Sequence, residues 1–302
     1  MTNKWYKDLT PTEKAKTLLI GEDLYAFFHS DPETVIDCQG MSSPITMQHG
    51  IEIVNSEDIP LYIRIVATVT TGDPAQWTDL QEDLGSVVAN GRALFFWTPN
   101  RTIPATLTSE TLEVTVQAFK DAGYTNLYGE DSLTWNFTFF DHSWESAVII
   151  DEDDFENTLD GWVNVGYSHF EPHPSNPYKG AYSLRIAETG YTWTGEIDSS
   201  GQMVPVKSKY GRKSFTIGDY SKAFIVFHYT RNDAEANTAL RVHYDTKDYI
   251  IRTGMPQGST QVWRCAIPIP VNATTEIRIS VTVVQAIIKN AYLDDFITVA
   301  FA

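Results

Sequence analysis

AFIVFHYT, residues 223–230, decides the fold of this chain. Its side chains trade faces at period two: Phe224, Val226 and His228 point one way, Ile225, Phe227 and Tyr229 the other. Four more stretches share this character, namely ALRVHYD (239–245), DYIIRT (248–253), VWRCAIPI (262–269) and EIRISVTV (276–283), with turns between them. No helical period interrupts them. Regularly spaced strands without helices imply a two-layer β-sandwich.

The first half is also β-rich. LYIRIVATVT (61–70), ALFFWT (93–98), TLEVTVQAFK (111–120) and SLTWNFTFFD (132–141) are rich in β-branched and aromatic residues, as strands are. Turn signals separate them at Asn90-Gly91, Pro99-Asn100, Ala122-Gly123 and Tyr128-Gly129. GDPAQWTDLQEDLGS (72–86) reads as a loop with one helical turn, and residues 30–50 as extended loop around Pro32, Gly40, Pro44 and Gly50. DHSWESAVIIDEDD (141–154) reads as a short acidic connector. Residues 1–28 read as helical. Thr10 is placed to N-cap, Pro11 to occupy the first helical position and Glu13 to complete a capping box, while Leu18, Leu19, Leu24, Tyr25 and Phe28 form an apolar face broken at Gly21. The expected organisation is a helical arm and extended segment over 1–50, an immunoglobulin-like sandwich over 51–147 and a jelly roll over 148–302. At 302 residues the chain is long enough for each sandwich to bury its own core.

Two segments carry resemblances. EVTVQAFKDAGYTNLYGEDSLTWNFTF (113–139) resembles the last two strands of bacterial-type immunoglobulin-like domains, on Ala118, Asp121, Ala122 and Gly123. DDFENTLDGW (153–162), YKGAYSLRI (178–186) and AYLDDFITV (291–299), in that order, resemble the jelly roll of carbohydrate-binding modules. That resemblance implies a structural Ca²⁺ held by Asp154, Glu156 and Asp294 or Asp295 with backbone near the Gly180–Ser183 turn, clamping the first strand to the last. Ordinary solvated acids at strand ends are the alternative. It also implies glycan binding by rings that stack on sugar faces. The candidates are Tyr167, Tyr191, Trp193, Tyr244, Tyr249 and Trp263.

Composition narrows the functions. A net charge of −17 repels nucleic acid and anionic membrane surfaces and suits solubility, cations and neutral partners. No run of 18 apolar residues occurs, and MTNKWYKDLTPTEKAKTLLIGEDL lacks the apolar core of a signal peptide. Cys38 and Cys265 lie in different halves, and two free thiols are expected over one disulfide. Three sequons, at Asn100, Asn136 and Asn272, hint at an external glycoprotein. No H-E-x-x-H or G-x-S-x-G motif is present, and Pro172 separates His169 from His173, so no enzyme is expected. These features point to a surface structural protein, a virion turret, spike, decoration or tail component or an appendage subunit. Its expected place is a virion or an extracellular surface, and its expected partners are copies of itself, neighbouring structural proteins and glycans. A glycan-binding module is the second reading and a polysaccharide-active enzyme with an accessory β-domain the third.

Overall fold

The computed structural model describes residues 16–28, 33–167, 169–175, 177–187, 210–231, 239–244, 247–252, 262–282 and 290–302. Among them there is no α-helix and therefore none long and apolar enough to cross a membrane. The chain divides into two compact units, Met1–Asp141 and His142–Ala302.

The first unit holds β1 (Thr17–Ile20), β2 (Leu24–Phe28), β3 (Glu33–Asp37), β4 (Ile45–Thr46), β5 (His49–Asn55), β6 (Leu61–Thr71), β7 (Trp77–Thr78), β8 (Gln81–Val87), β9 (Gly91–Trp97), β10 (Asn100–Arg101), β11 (Thr108–Phe119) and β12 (Leu127–Phe140). One sheet runs β1-β2-β5-β9, the other β3-β12-β11-β6-β8, and β4-β10-β7 form a small third. β3 runs parallel to β12, and the other pairs are antiparallel. At the tip of the β11–β12 hairpin the Asp121 carboxylate accepts from the amides of Gly123, Thr125 and Asn126.

The helical reading of residues 1–28 is corrected where the structure describes them. Thr17–Ile20 and Leu24–Phe28 are a β-hairpin. Gly21 takes a left-handed φ of 68° in its turn, with the Tyr128 ring packed so closely that a Cβ there would lie 2.7 Å from it. Leu18 and Ile20 are buried while Leu19 is exposed, so the segment alternates like a strand, but four residues are too few to separate period two from 3.6. The capping positions Thr10, Pro11 and Glu13 lie outside the described residues. In 72–86 the helical turn is a 3₁₀ turn, Pro74–Gln76, capped by Asp73. The remainder of that segment is not loop but β7 and the edge strand β8, whose Glu82 and Asp83 hid it. Charges of that kind are how a sheet edge discourages further pairing.

The second unit holds β13 (Ala147–Asp153), β14 (Val163–Val165), β15 (His169–His173), β16 (Ser183–Ala187), β17 (Tyr210–Ile217), β18 (Lys222–Arg231), β19 (Ala239–Tyr244), β20 (Lys247–Arg252), β21 (Val262–Ile269), β22 (Ala273–Thr282) and β23 (Asn290–Phe301). One sheet is ordered β15-β16-β23-β18-β21, the other β14-β17-β22-β19-β20. The eight strands from β16 to β23 thus alternate between sheets except at the β19–β20 hairpin, with the eighth beside the first and the seventh beside the second. This is the wrapped order of a jelly roll. β13 adds to the free stretch of β23, from Ala147↔Phe301 to Asp153↔Phe296, while β16 pairs with the other end of the same edge. The AVIIDED part of the expected connector is therefore the opening strand. Phe155, Trp162, Phe215, Phe227 and Phe296 share one buried core.

Each unit buries its own aromatic core. In the first, Phe28, Trp97, Trp135, Phe137 and Phe139 are all buried below 2% exposure, each contributing on the order of 1.5–3 kcal/mol. Arg101 grips Glu110 with Nε and Nη2 at 2.8 and 2.7 Å, and Trp77 Nε1 donates to the same carboxylate at 2.7 Å. Both cysteines are free, and burial pushes both thiols up to about 12.

His49 is the exception in this core. Its ring packs against Trp97, Trp135 and Phe137, and neither ring nitrogen has a hydrogen-bond partner. Burial alone lowers its pKa to about 3. The unfolded chain then binds a proton that the folded chain refuses between that value and the ordinary 6.5, so stability falls as pH drops through this window. The slope from this one group is about 1.4 kcal/mol per pH unit. Denaturant melts of the wild type and His49→Phe between pH 7 and pH 4 test this (roughly the span of the shift). The substituted chain is expected to lose stability more slowly on acidification, and parallel curves would refute the assignment.

Candidate functional site

The site lies where the chain comes out of β13 and meets residues 177–182 and the middle of β23. After Asp153 the backbone turns sharply, with Phe155, Asn157 and Asp160 all at positive φ. Phe155 tolerates this because its ring is fully buried and its amide donates to Asp160 Oδ2 at 2.9 Å. Asp154 Oδ1 accepts from the Glu156 amide. Asp153 points inward. Trp162 Nε1 donates to its Oδ2 at 2.9 Å, Lys213 of β17 donates to its Oδ1, and the same ammonium reaches Asp151 Oδ2 at 2.5 Å. Burial pushes the Asp153 carboxyl up to about 6, against the opposing pull of Lys213 and Trp162.

Two carboxylates latch the loop. Glu156 Oε1 accepts from the amides of Ala181 and Tyr182 at 2.7 and 3.1 Å. It sits over Gly180, where a Cβ would lie 2.0 Å from that oxygen and where φ is 70°, so glycine alone suits the position. Asp294 Oδ2 accepts from the amides of Tyr178 and Lys179 at 2.6 and 2.9 Å, and its Oδ1 from the Asp295 amide. Burial nevertheless holds Asp294 above the usual carboxylate range, while His228 and Lys179 beside it hold Asp295 below that range. Lys179 Nζ lies 3.2 Å from Glu152 Oε1 and 3.5 Å from Asp295 Oδ1.

The latch sets Tyr178 flat on His228, with ring centroids 3.4 Å apart and 10° between planes. Beneath it the buried imidazole accepts at Nε2 from Arg264 Nε at 3.4 Å and turns Nδ1 toward Asp295 Oδ2 at 3.5 Å. Tyr178 is 50% exposed, so one ring face rests on His228 and the other meets solvent. On the outer face of β17 and β22, Arg278 lies over the Tyr210 ring at 4.8 Å and pairs with Glu276, which also meets Arg212.

The residues expected to bind glycan fare differently. Tyr167 is buried and stacked on Phe170, and Tyr244 is buried with its hydroxyl donating to the Pro268 carbonyl. Both are core residues, so neither ring can meet a sugar. Tyr191 and Trp193 lie outside the described residues. Tyr249 and Trp263 fall on β20 and β21, their side chains likewise outside them. Tyr178 was not among the expected residues. It stands in YKGAYSLRI, where the neighbouring glycine turn is the stronger local signal.

The carboxylates expected to hold calcium accept backbone amides here. Among the described residues no three His, Cys, Asp or Glu side chains are grouped to hold one. A hard cation needs six to eight free oxygens, whereas Glu156 and Asp294 already accept two and three amide N–H groups. Of the sequons, Asn136 and Asn272 are exposed, while Asn100 is part-buried with its amide bonded to Thr46 and Asp79.

No family's sequence profile and no curated protein matches the chain. Solved structures do. The CBM22-1 xylan-binding domain of Paenibacillus barcinonensis Xyn10C is similar at 15% identity and TM-score 0.36, over 53% of this chain and 99% of that one. The CBM22-1–CBM22-2 tandem of the same protein is similar at 10% identity and TM-score 0.36, over 93% and 92%. TmCBM61, solved with β-1,4-galactotriose, is similar at 9% identity and TM-score 0.33, over 48% and 92%.

Because the Asp294 carboxylate holds both Tyr178 and Lys179, Asp294→Ala leaves two loop amides without their acceptor, at a cost of about 1–3 kcal/mol. Hydrogen exchange read by mass spectrometry is expected to show faster uptake over 174–182 in this variant, with β18 unaffected. Unchanged uptake in the loop would mean that Asp294 is not its latch.

Proposed function

We propose that the C-terminal jelly roll is a non-catalytic glycan-binding module and that Tyr178 is its stacking platform. One observation carries this: an aromatic ring held rigid from beneath by His228 and from behind by Asp294, with its outer face open. A sugar ring needs such a flat apolar face with polar groups near it, and the exposed Lys179 and Glu152 pair is the nearest supply. The acidic chain favours neutral glycans over polyanionic ones. A non-catalytic role is supported by the engagement of the local carboxylates. Asp151 and Asp153 meet Lys213, Glu152 meets Lys179, and Glu156 and Asp294 hold backbone amides. A glycosidase instead needs two carboxyl groups facing each other across a cleft.

The N-terminal unit is read as an immunoglobulin-like companion, supported by the sheet order β3-β12-β11-β6-β8 facing β2-β5-β9 and by the parallel β3–β12 pair. Glycan binding suits an extracellular surface. Assembly into a virion or appendage has no observation on the described residues to carry it, so glycan binding takes its place as the main reading.

Affinity electrophoresis through gels containing soluble xylan or β-1,4-galactan tests the proposal. The full chain is expected to be retarded by at least one neutral polysaccharide, and Tyr178→Ala to weaken that affinity about tenfold while melting as the wild type does. Retardation that Tyr178→Ala leaves intact would move the site elsewhere, and no retention on any neutral glycan array would end the reading.

A further inference from the structure

The resemblance implies a metal clamp between the opening and closing strands, and the residues implied for it are already committed elsewhere. The end of β13 and the residue after it nevertheless carry an acidic run, Asp151, Glu152, Asp153 and Asp154, that needs an opposing charge. Two lysines meet it from opposite faces. Lys213, whose side chain is 13% exposed, crosses from the inner face of β17 to Asp151 and Asp153, the latter only 1% exposed. Lys179 bridges Glu152 of β13 to Asp295 of β23 on the outer face.

We propose that lysine replaces the metal in this jelly roll: the Lys213 ammonium, seconded by Lys179, is the cation that fastens β13, and the unit folds without calcium. Lys213 suits the task because its partners sit on the strand opposite its own sheet, so one side chain joins the two layers as well as the first strand to the rest. Of the three N–H groups the ammonium has to give, Asp153 Oδ1 takes one, and Asp151 Oδ2 stands 2.5 Å away as its second ion-pair partner. Asp153 is further fixed by Trp162, so both of its oxygens are occupied. Lys179 is 60% exposed and contributes the smaller share.

The test is calorimetry of the full chain. In millimolar CaCl₂ and in millimolar EGTA the C-terminal transition is expected at the same temperature within about 1 °C, because a ligand that does not bind the folded state cannot shift it. Titration with Ca²⁺ is expected to give no saturable heat. Lys213→Met, which strands Asp153 in the interior, is expected to lower this transition by roughly 5–15 °C. The double variant Lys213→Met/Asp153→Asn is expected to recover much of that loss, since it removes the stranded charge. A calcium-dependent rise of several degrees, saturable calcium binding, or a Lys213→Met chain that melts like the wild type would each overturn the proposal. Should Lys213→Met fail to fold, the calcium and EGTA comparison on the wild type decides alone.

Discussion

The antiparallel ladder between β13 and β23 is the constraint on which the second unit depends. It joins residues about 150 positions apart, so its pairing must repay the closure entropy of nearly the whole unit. Its side chains then complete the core: Phe296 of β23 stacks on Phe215 and Phe227 and receives Trp162 edge-on, with ring centroids 5.1–6.1 Å apart. The indole that closes this cluster also binds Asp153, so apolar packing and the charged end of β13 are coupled through one residue. Strand pairing, ring packing and ion pairing therefore reinforce one another at a single edge.

The acids near that edge illustrate how one residue type serves different ends. Converging on an ion, carboxylates leave their oxygens free for the cation. Here they turn those oxygens toward backbone amides and shape a loop instead. The result is a tyrosine fixed before any ligand arrives, and pre-organisation of that kind spares the ordering cost that a mobile ring would incur on binding. His228 completes the arrangement from below, its own orientation set by Arg264 and Asp295.

Much of the architecture was legible in the sequence because it is written in short-range alternation. The stretches 223–230 and 262–269 fall on β18 and β21, the described part of 276–283 falls on β22, and the paired ends were recognised through Phe155, Trp162 and the Asp294–Phe296 segment. The failures have physical reasons. The three apolar residues before Gly21, Leu18, Leu19 and Ile20, fit a helix face as well as a strand, and the Tyr128 ring that packs on the turn lies a hundred residues away. Tyr167 and Tyr244 look like any exposed ring until burial is known. Nothing local links Lys213 to Asp153, because the contact is made across two sheets. Tyr178 was hidden behind the turn signal of Gly180, although that glycine and that ring belong to one latch.

The Ala147↔Phe301 register brings the two ends of the jelly roll side by side, and the Ser221 amide and hydroxyl hold the closing residue there. A body whose polypeptide arrives and departs at one point can be spliced into a surface turn of an unrelated host without stretching either, or be re-cut so that its ends fall in a different turn. In that sense the sandwich is a cartridge: its geometry makes it portable, whatever stands before it.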